Sequence, residues 1–204
     1  SPPNYNPKPE DSIEAMAKEK GVTAAELAYE ILIENDGNNF IYAPLVNYAD
    51  HTFGVCKKML DDKNAIMGLG DGGAHVGFIL DAGYPTWLIS YWSVKKKAYS
   101  MEETVRRLTS DTANAAGLND RGLLKVGLKA DINIIDWENV GSSDPFMTQD
   151  LPAGGKRLMQ HTQGYVTTIV SGKVTYKNGE FTKERPGTVV KSVKDEEKTL
   201  EFTN

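Results

Sequence analysis

Asp71 and His75 stand four residues apart in a glycine-rich run, Gly68-Leu-Gly-Asp-Gly-Gly-Ala-His75, which ends the apolar stretch Ala65–Leu69. A carboxylate and an imidazole are the side-chain types most used to take up and return a proton during bond cleavage. The stretch before them is short and follows Asp61, Asp62 and Asn64, which suits a strand buried on both faces of a parallel sheet. Groups just past the carboxyl end of such a strand lie where α/β folds collect ligands, and glycines let backbone approach what binds there. Asp71 is therefore the candidate catalytic residue. Gly72, Gly73 and His75 are candidates for lining its pocket or orienting the carboxylate.

Two other readings of the glycines exist. An aspartate in a Gly-rich turn also serves as a turn former, its side chain accepting a bond from nearby backbone. Gly68, Gly70 and Gly73 match the dinucleotide fingerprint, but that fingerprint wants an acidic residue about 20 positions on to hold a ribose. No Asp or Glu occurs between Asp81 and Glu102, and no Lys-Ser/Thr pair follows the glycines as a P-loop requires.

The elements that would position this stretch alternate. Ser12 caps a helix over 13–20 that Gly21 stops, and Thr23 caps a stronger one with Ala24, Leu27, Ala28, Ile31 and Leu32 on one face, closed by Asn35-Asp-Gly37. Phe40 to Ala43 reads as a strand ending at Pro44, with Asn47, Tyr48, Asp50 and His51 after it; Asn47 is a further pocket candidate. A helix around 53–60 leads to the strand at Ala65. Helix, strand, helix, strand implies a parallel sheet with crossover helices. Pro85 then opens an aromatic helix from Thr86 to about Lys97, whose Trp87, Leu88, Tyr91 and Trp92 read as core. Ser100-Met-Glu-Glu103 is a capping box for a helix packing through Val105 and Leu108, and 111–117 forms one more short helical stretch. From Leu118 the texture turns β-rich, with strands over 132–136 and 166–171 and a hairpin around Asn178-Gly179. Residues 192–204 read as a solvated tail.

Hydrophobic content of 40% and charged content of 25% are those of an ordinary globular protein, and a net charge of −5 argues against nucleic acid or anionic membrane as partner. A single cysteine, Cys56, excludes an intrachain disulfide and fits a reducing, cytoplasmic compartment. No signal peptide or bilayer-spanning run is visible. The chain starts Ser-Pro-Pro without a Met, and the expectation is a piece of a larger protein.

Three segments together resemble the carboxyl-terminal part of an amidohydrolase-superfamily enzyme: Gly68–His75, Thr112-Ala-Asn-Ala-Ala-Gly-Leu-Asn-Asp-Arg-Gly122 and Gly127-Leu-Lys-Ala-Asp-Ile-Asn-Ile-Ile-Asp136. Leu151-Pro-Ala-Gly-Gly-Lys-Arg157, Gly164-Tyr165 and Arg185-Pro-Gly187 are similar to the N-acyl-D-amino-acid deacylase (D-aminoacylase) branch. The resemblance runs from about residue 12 to 191. It implies an α/β fold, with the last portion of a (β/α)8 barrel over 1–117 followed by a β-rich segment of a small β-sandwich over 118–191. It also implies a zinc-dependent amide hydrolase. Asp71 matches the family carboxylate that approaches the metal, takes a proton from the hydrolytic water and passes it to the leaving amine; zinc itself lowers the pKa of bound water toward neutrality.

The resemblance also says what to look for elsewhere. The family's other metal ligands, a His-x-His pair or its Cys-containing equivalent and two further histidines, belong to sequence upstream, whereas His51, His75 and His161 form no ligand motif and Cys56 reads as core. The expected partners are the amino-terminal portion of the same enzyme and a small-molecule amide; nothing in the pattern opposes a homo-oligomer. Members of the branch carry an Arg shortly after the catalytic Asp to grip the substrate carboxylate. From Asp71 through Val94 there is no Lys or Arg, which points to a less anionic amide. The alternatives are a cyclic-amide hydrolase of the hydantoinase kind and a non-catalytic, degenerate barrel domain.

Overall fold

The computed structural model describes residues 4–48, 50–68, 70 and 75–191. Helices and sheet are mixed, and the chain divides into two compact units: Ser1–Ala65 with Asp144–Met159, and Ile66–Ser143 with Gln160–Asn204. No helix among the described residues is long and apolar enough to cross a membrane.

The first unit opens on three helices, each placed by local sequence. In α1 (Ile13–Lys20) the Ser12 hydroxyl accepts the Ala15 N–H at 3.2 Å, and Gly21 ends the helix in the left-handed region. In α2 (Ala24–Gly37) Thr23 and Glu26 cap reciprocally: the Glu26 N–H donates to the Thr23 hydroxyl, and the Thr23 N–H donates to the Glu26 carboxylate at 2.8 Å. Such caps contribute about 1 kcal/mol each. The regular helix stops before the turn Asn35-Asp36-Gly37, where all three residues have positive φ. Only part of the expected apolar stripe is covered. Leu27 is buried with Ala17 of α1, Ala28 and Ile31 are half-buried, and Ala24 and Leu32 stay exposed. The third helix, α3 (Gly54–Leu60), forms as the sequence suggests.

The two parallel strands expected at 40–43 and 65–69 are not formed by the described residues: neither 40–43 nor 65–68 is paired, and Leu69 lies outside the description. Every ladder among the described residues is antiparallel. A buried parallel strand needs a neighbour running the same way, and no described strand supplies one. Phe40, Ile41, Tyr42 and Ile66 consequently remain 40–54% exposed.

The second unit is built on an aromatic helix. Pro85 sits in the first turn of α4 (Tyr84–Trp87), and the chain continues over Leu88–Lys95 as a π-helix rather than the expected α-helix. The wider turn buries Leu88, Ile89, Tyr91, Trp92 and Ser93 together, more than one α-helical face would allow. Trp87 stacks on Tyr91 at 4.3 Å, as a core role requires. The helix α5 (Met101–Leu108) starts where Ser100 accepts the Glu103 N–H, and α6 (Ser110–Ala115) follows. The buried residue of α5 is Thr104, fully enclosed with its hydroxyl donating to the Ser100 carbonyl, whereas Val105 is 44% exposed and Leu108 half-buried. The Arg107 guanidinium lies 4.4 Å over the Tyr99 ring and closes that side.

Four strands of this unit make one sheet in the order β1-β6-β7-β8: β1 Ile132–Ile135, β6 Tyr165–Val170, β7 Lys173–Lys177 and β8 Glu180–Phe181. Asn178 and Gly179 take φ of 50° and 82°, the double left-handed turn that Asn-Gly favours. A short ladder joins β2 (Gly141–Ser142) to β5 (Thr162–Gln163). The sequence reading had no counterpart for this ladder or for the hairpin of the first unit, β3 (Phe146–Leu151) with β4 (Gly155–Met159). The Leu151–Arg157 motif forms that hairpin's turn, and Arg157 grips Asp150 through two bonds of 2.7 and 2.6 Å. Gly164 has φ of +86°, and a Cβ there would fall 2.6 Å from Val140 Cα, so no other residue fits. Residues 192–204, read as a tail, lie outside the description.

Candidate functional site

Of the residues the sequence singled out, Asp71, Gly72 and Gly73 lie outside the described residues; His75 and Asn47 lie within them. His75 is exposed. Its carbonyl accepts the Phe78 and Ile79 N–H groups at 3.0 and 2.9 Å, and its ring packs on Phe78 at 5.3 Å, so the backbone from 75 to 78 is a closed turn.

Asn47 and His51 fall in the first unit, where they come together around Tyr48. Both are non-glycine residues in the left-handed region, with φ of 62° and 56°. Tyr48 anchors the bend: it is 5% exposed, and its hydroxyl donates to the Pro7 carbonyl at 2.8 Å. The His51 N–H donates to the Tyr48 carbonyl, and the two rings meet edge-on. Asp50 accepts both the hydroxyl and the N–H of Thr52, which hold its carboxyl below the usual range, and Thr52 in turn accepts the Gly54 N–H that opens α3. Asp50 is thus a turn former. Asn47 and His51 border a cavity of about 890 Å³ whose other walls include Phe40, Tyr42, Leu45 and Val46. Such a groove offers an apolar wall with amide and imidazole hydrogen-bonding groups at its edge. The aromatic run Phe40-Ile-Tyr42 before Pro44 was the available signal, and reading 40–43 as a strand of a parallel sheet hid this exposure.

Cys56 is half-buried, its thiol 3.4 Å from the Asn47 carbonyl and pushed up in pKa by burial. A raised pKa disfavours the thiolate that a metal needs. No group of three or more His, Cys, Asp or Glu among the described residues comes together to hold a metal ion. The described residues therefore do not fit a metal centre by themselves. The first cations after Asp71 are spoken for in part: the ammonium groups of Lys95 and Lys96 lie 5.9 and 5.5 Å from the Tyr91 ring centre.

The superfamily-like segment 112–136 is tied to the sheet by a charge cluster. Arg121 binds Asp120 at 2.9 Å and Asp131 at 3.0 Å, and the other oxygen of Asp131 accepts the Ser171 N–H at the turn into β7. Arg121 holds the Asp120 carboxyl below its ordinary range. Asp120, Arg121 and Asp131 of the motif thus bind one another and the Ser171 N–H.

A family model described as the amidohydrolase family matches residues 7–176, most of the chain and a span that includes Asp71. The chain belongs to the amidohydrolase family. A dihydroorotase of Lactobacillus acidophilus is 33% identical over 89 residues, which is 42% of this chain and 20% of that protein. The matched region thus spans about a fifth of that curated relative. No solved structure matches the chain.

Proposed function

We propose that this chain is the carboxyl-terminal part of a metal-dependent amide hydrolase of the D-aminoacylase-like kind, built on a (β/α)8 barrel with a β-sandwich beside it. The observation that carries the reading is the family match across 7–176, which spans the Gly-rich run bearing Asp71. In this reading Asp71 accepts a proton from the attacking water at a carboxylate oxygen and delivers it to the leaving nitrogen. A carbon–oxygen bond forms, the carbon–nitrogen bond breaks, and a carboxylic acid and an amine leave. A resident zinc needs ligands from outside the described residues, with Asp71 as this chain's contribution. His75 orients Asp71, so His75→Ala lowers turnover about 10-fold to 100-fold; full activity would assign His75 to its turn alone.

The substrate in this reading is an N-acyl amino compound without a free carboxylate beside the scissile bond, because no Lys or Arg occurs from Asp71 through Val94. A second reading, hydrolysis of a ring amide, is favoured by the likeness to a dihydroorotase and uses the same Asp71. Both are tested by incubating the intact protein with N-acetyl-D-leucine, N-acetyl-D-leucine amide and dihydrouracil. Faster turnover of the leucine amide supports the first reading and faster turnover of dihydrouracil the second. Preference for N-acetyl-D-leucine contradicts the uncharged-substrate argument, and no turnover of any of the three favours a non-catalytic domain.

A further inference from the structure

Asn178-Gly179 is the one Asn-Gly pair in the sequence; every other asparagine that has a residue after it is followed by one with a side chain. The pair forms the exposed turn between β7 and β8. Among the described residues neither the Asn178 carboxamide nor the Gly179 N–H has a hydrogen-bond partner. Other asparagines are held. The carboxamide N–H groups of Asn38, Asn39 and Asn139 donate to the Asn35 carbonyl, the Ile31 carbonyl and the Asp136 carboxylate at 2.9, 3.0 and 2.9 Å.

An unbonded carboxamide beside an unbonded backbone nitrogen has an intramolecular reaction open to it. The Gly179 nitrogen attacks the side-chain carbonyl carbon of Asn178 and forms a carbon–nitrogen bond. The bond to the side-chain nitrogen breaks, ammonia leaves, and a five-membered succinimide ring remains. Water then opens the ring at either carbonyl, giving aspartate or, with the main chain rerouted through the side-chain carbon, isoaspartate. Gly179 puts no Cβ beside the attacking nitrogen, and the space around it is open, since even a Cβ built there meets nothing within 4 Å. The turn must open for the two atoms to meet. It closes an edge strand of two residues, the kind of terminus that opens locally at little cost.

We propose that Asn178 is a site of spontaneous deamidation whose isoaspartyl product releases the β8 edge of the sheet. The two-residue turn holds only while both central residues are left-handed, as φ of 50° and 82° show them to be. Isoaspartate adds a methylene to the main chain at that point and sets a carboxylate two residues before Glu180. The lengthened turn no longer brings Lys177 opposite Glu180 and Tyr176 opposite Phe181. What β8 gives up is small. It comprises the Tyr176–Phe181 ring contact at 5.4 Å, the Arg185 guanidinium 5.6 Å over Phe181, and the Thr182 N–H bond to the Thr175 carbonyl at 2.9 Å. The β1-β6-β7 ladders lie outside the turn and are retained.

The test ages the intact protein for weeks at mildly alkaline pH, digests it with an acid protease and maps it by mass spectrometry. Amide hydrogen exchange is followed in the aged wild type and in Asn178→Asp. Residue 178 is expected to convert before every other asparagine, with isoaspartate in excess of aspartate. The Thr182 amide is expected to lose its protection in the isoaspartyl chains and to keep it in Asn178→Asp, which has the new charge without the added methylene. Asn178 left intact, or converted more slowly than another asparagine, overturns the site. Conversion with Thr182 still protected, or loss of protection in Asn178→Asp as well, overturns the release of β8 by the lengthened backbone.

Discussion

Thr86 and Tyr165 show how single polar groups are used inside the second unit. Thr86 is 4% exposed in α4, and its hydroxyl meets the Tyr165 hydroxyl of β6 at 2.9 Å, joining helix to sheet. Tyr165→Phe keeps the ring but leaves the buried Thr86 hydroxyl short of a partner, and is expected to destabilise by about 1–3 kcal/mol. A lowered urea midpoint with an unchanged slope is the expected signature; an unchanged midpoint would mean the bond contributes nothing. At this scale the sequence identified types better than duties. Asp71 and His75 could be singled out by side-chain type and by their place after an apolar run, although an Asp among glycines is also a common turn former. Tyr165 was visible only as part of a motif, since its role depends on a helix 79 residues away in the chain. Thr104 was passed over for Val105, because a threonine that returns its hydroxyl to its own helix can be buried as an apolar residue would be.

The helices were the elements most open to reading, because their signals are local. The Ser12, Thr23 and Ser100 caps all lie within three residues of the groups they satisfy. Thr23→Ala removes a reciprocal cap and is expected to cost about 1 kcal/mol, seen as a loss of helical circular dichroism at a lower temperature. Asn178-Gly179 was equally legible, since its backbone demands are set by two residues alone. Strands 40–43 and 65–69 were less so: an apolar run gives the wish to be buried but not the neighbour that buries it, and the described residues contain no parallel partner. The π-helical stretch was missed for a related reason. A helix whose aromatic and aliphatic residues are nearly continuous carries no clear period to separate the two turn widths.

For the whole molecule, the acid side of the stability profile follows from its braces. Asp120 and Asp150 are held below the usual carboxylate range by hydrogen bonds from Arg121 and Arg157. Their folded-state values lie beneath the unfolded value of about 3.9, so their contribution is complete above that pH and disappears as pH falls through the folded values. Melting temperature is therefore expected to drop more steeply below about pH 4 in the wild type than in an Asp120→Asn, Asp150→Asn double variant; parallel curves would contradict this. The family was legible before any coordinates from motifs such as Asn119-Asp-Arg-Gly122, whose Asp120 and Arg121 join a brace with Asp131 and the Ser171 N–H. The metal and substrate were not, since the described residues gather no three-ligand group. The central claim is that Asp71 carries the proton, and the most direct measurement is kcat of Asp71→Asn in the intact enzyme, with melting temperature and metal content followed alongside. Asn keeps the size and an oxygen but cannot accept and return a proton, so turnover should fall about 100-fold to 10,000-fold with fold and metal retained. Turnover near wild type with both retained would make Asp71 a turn former and contradict the claim.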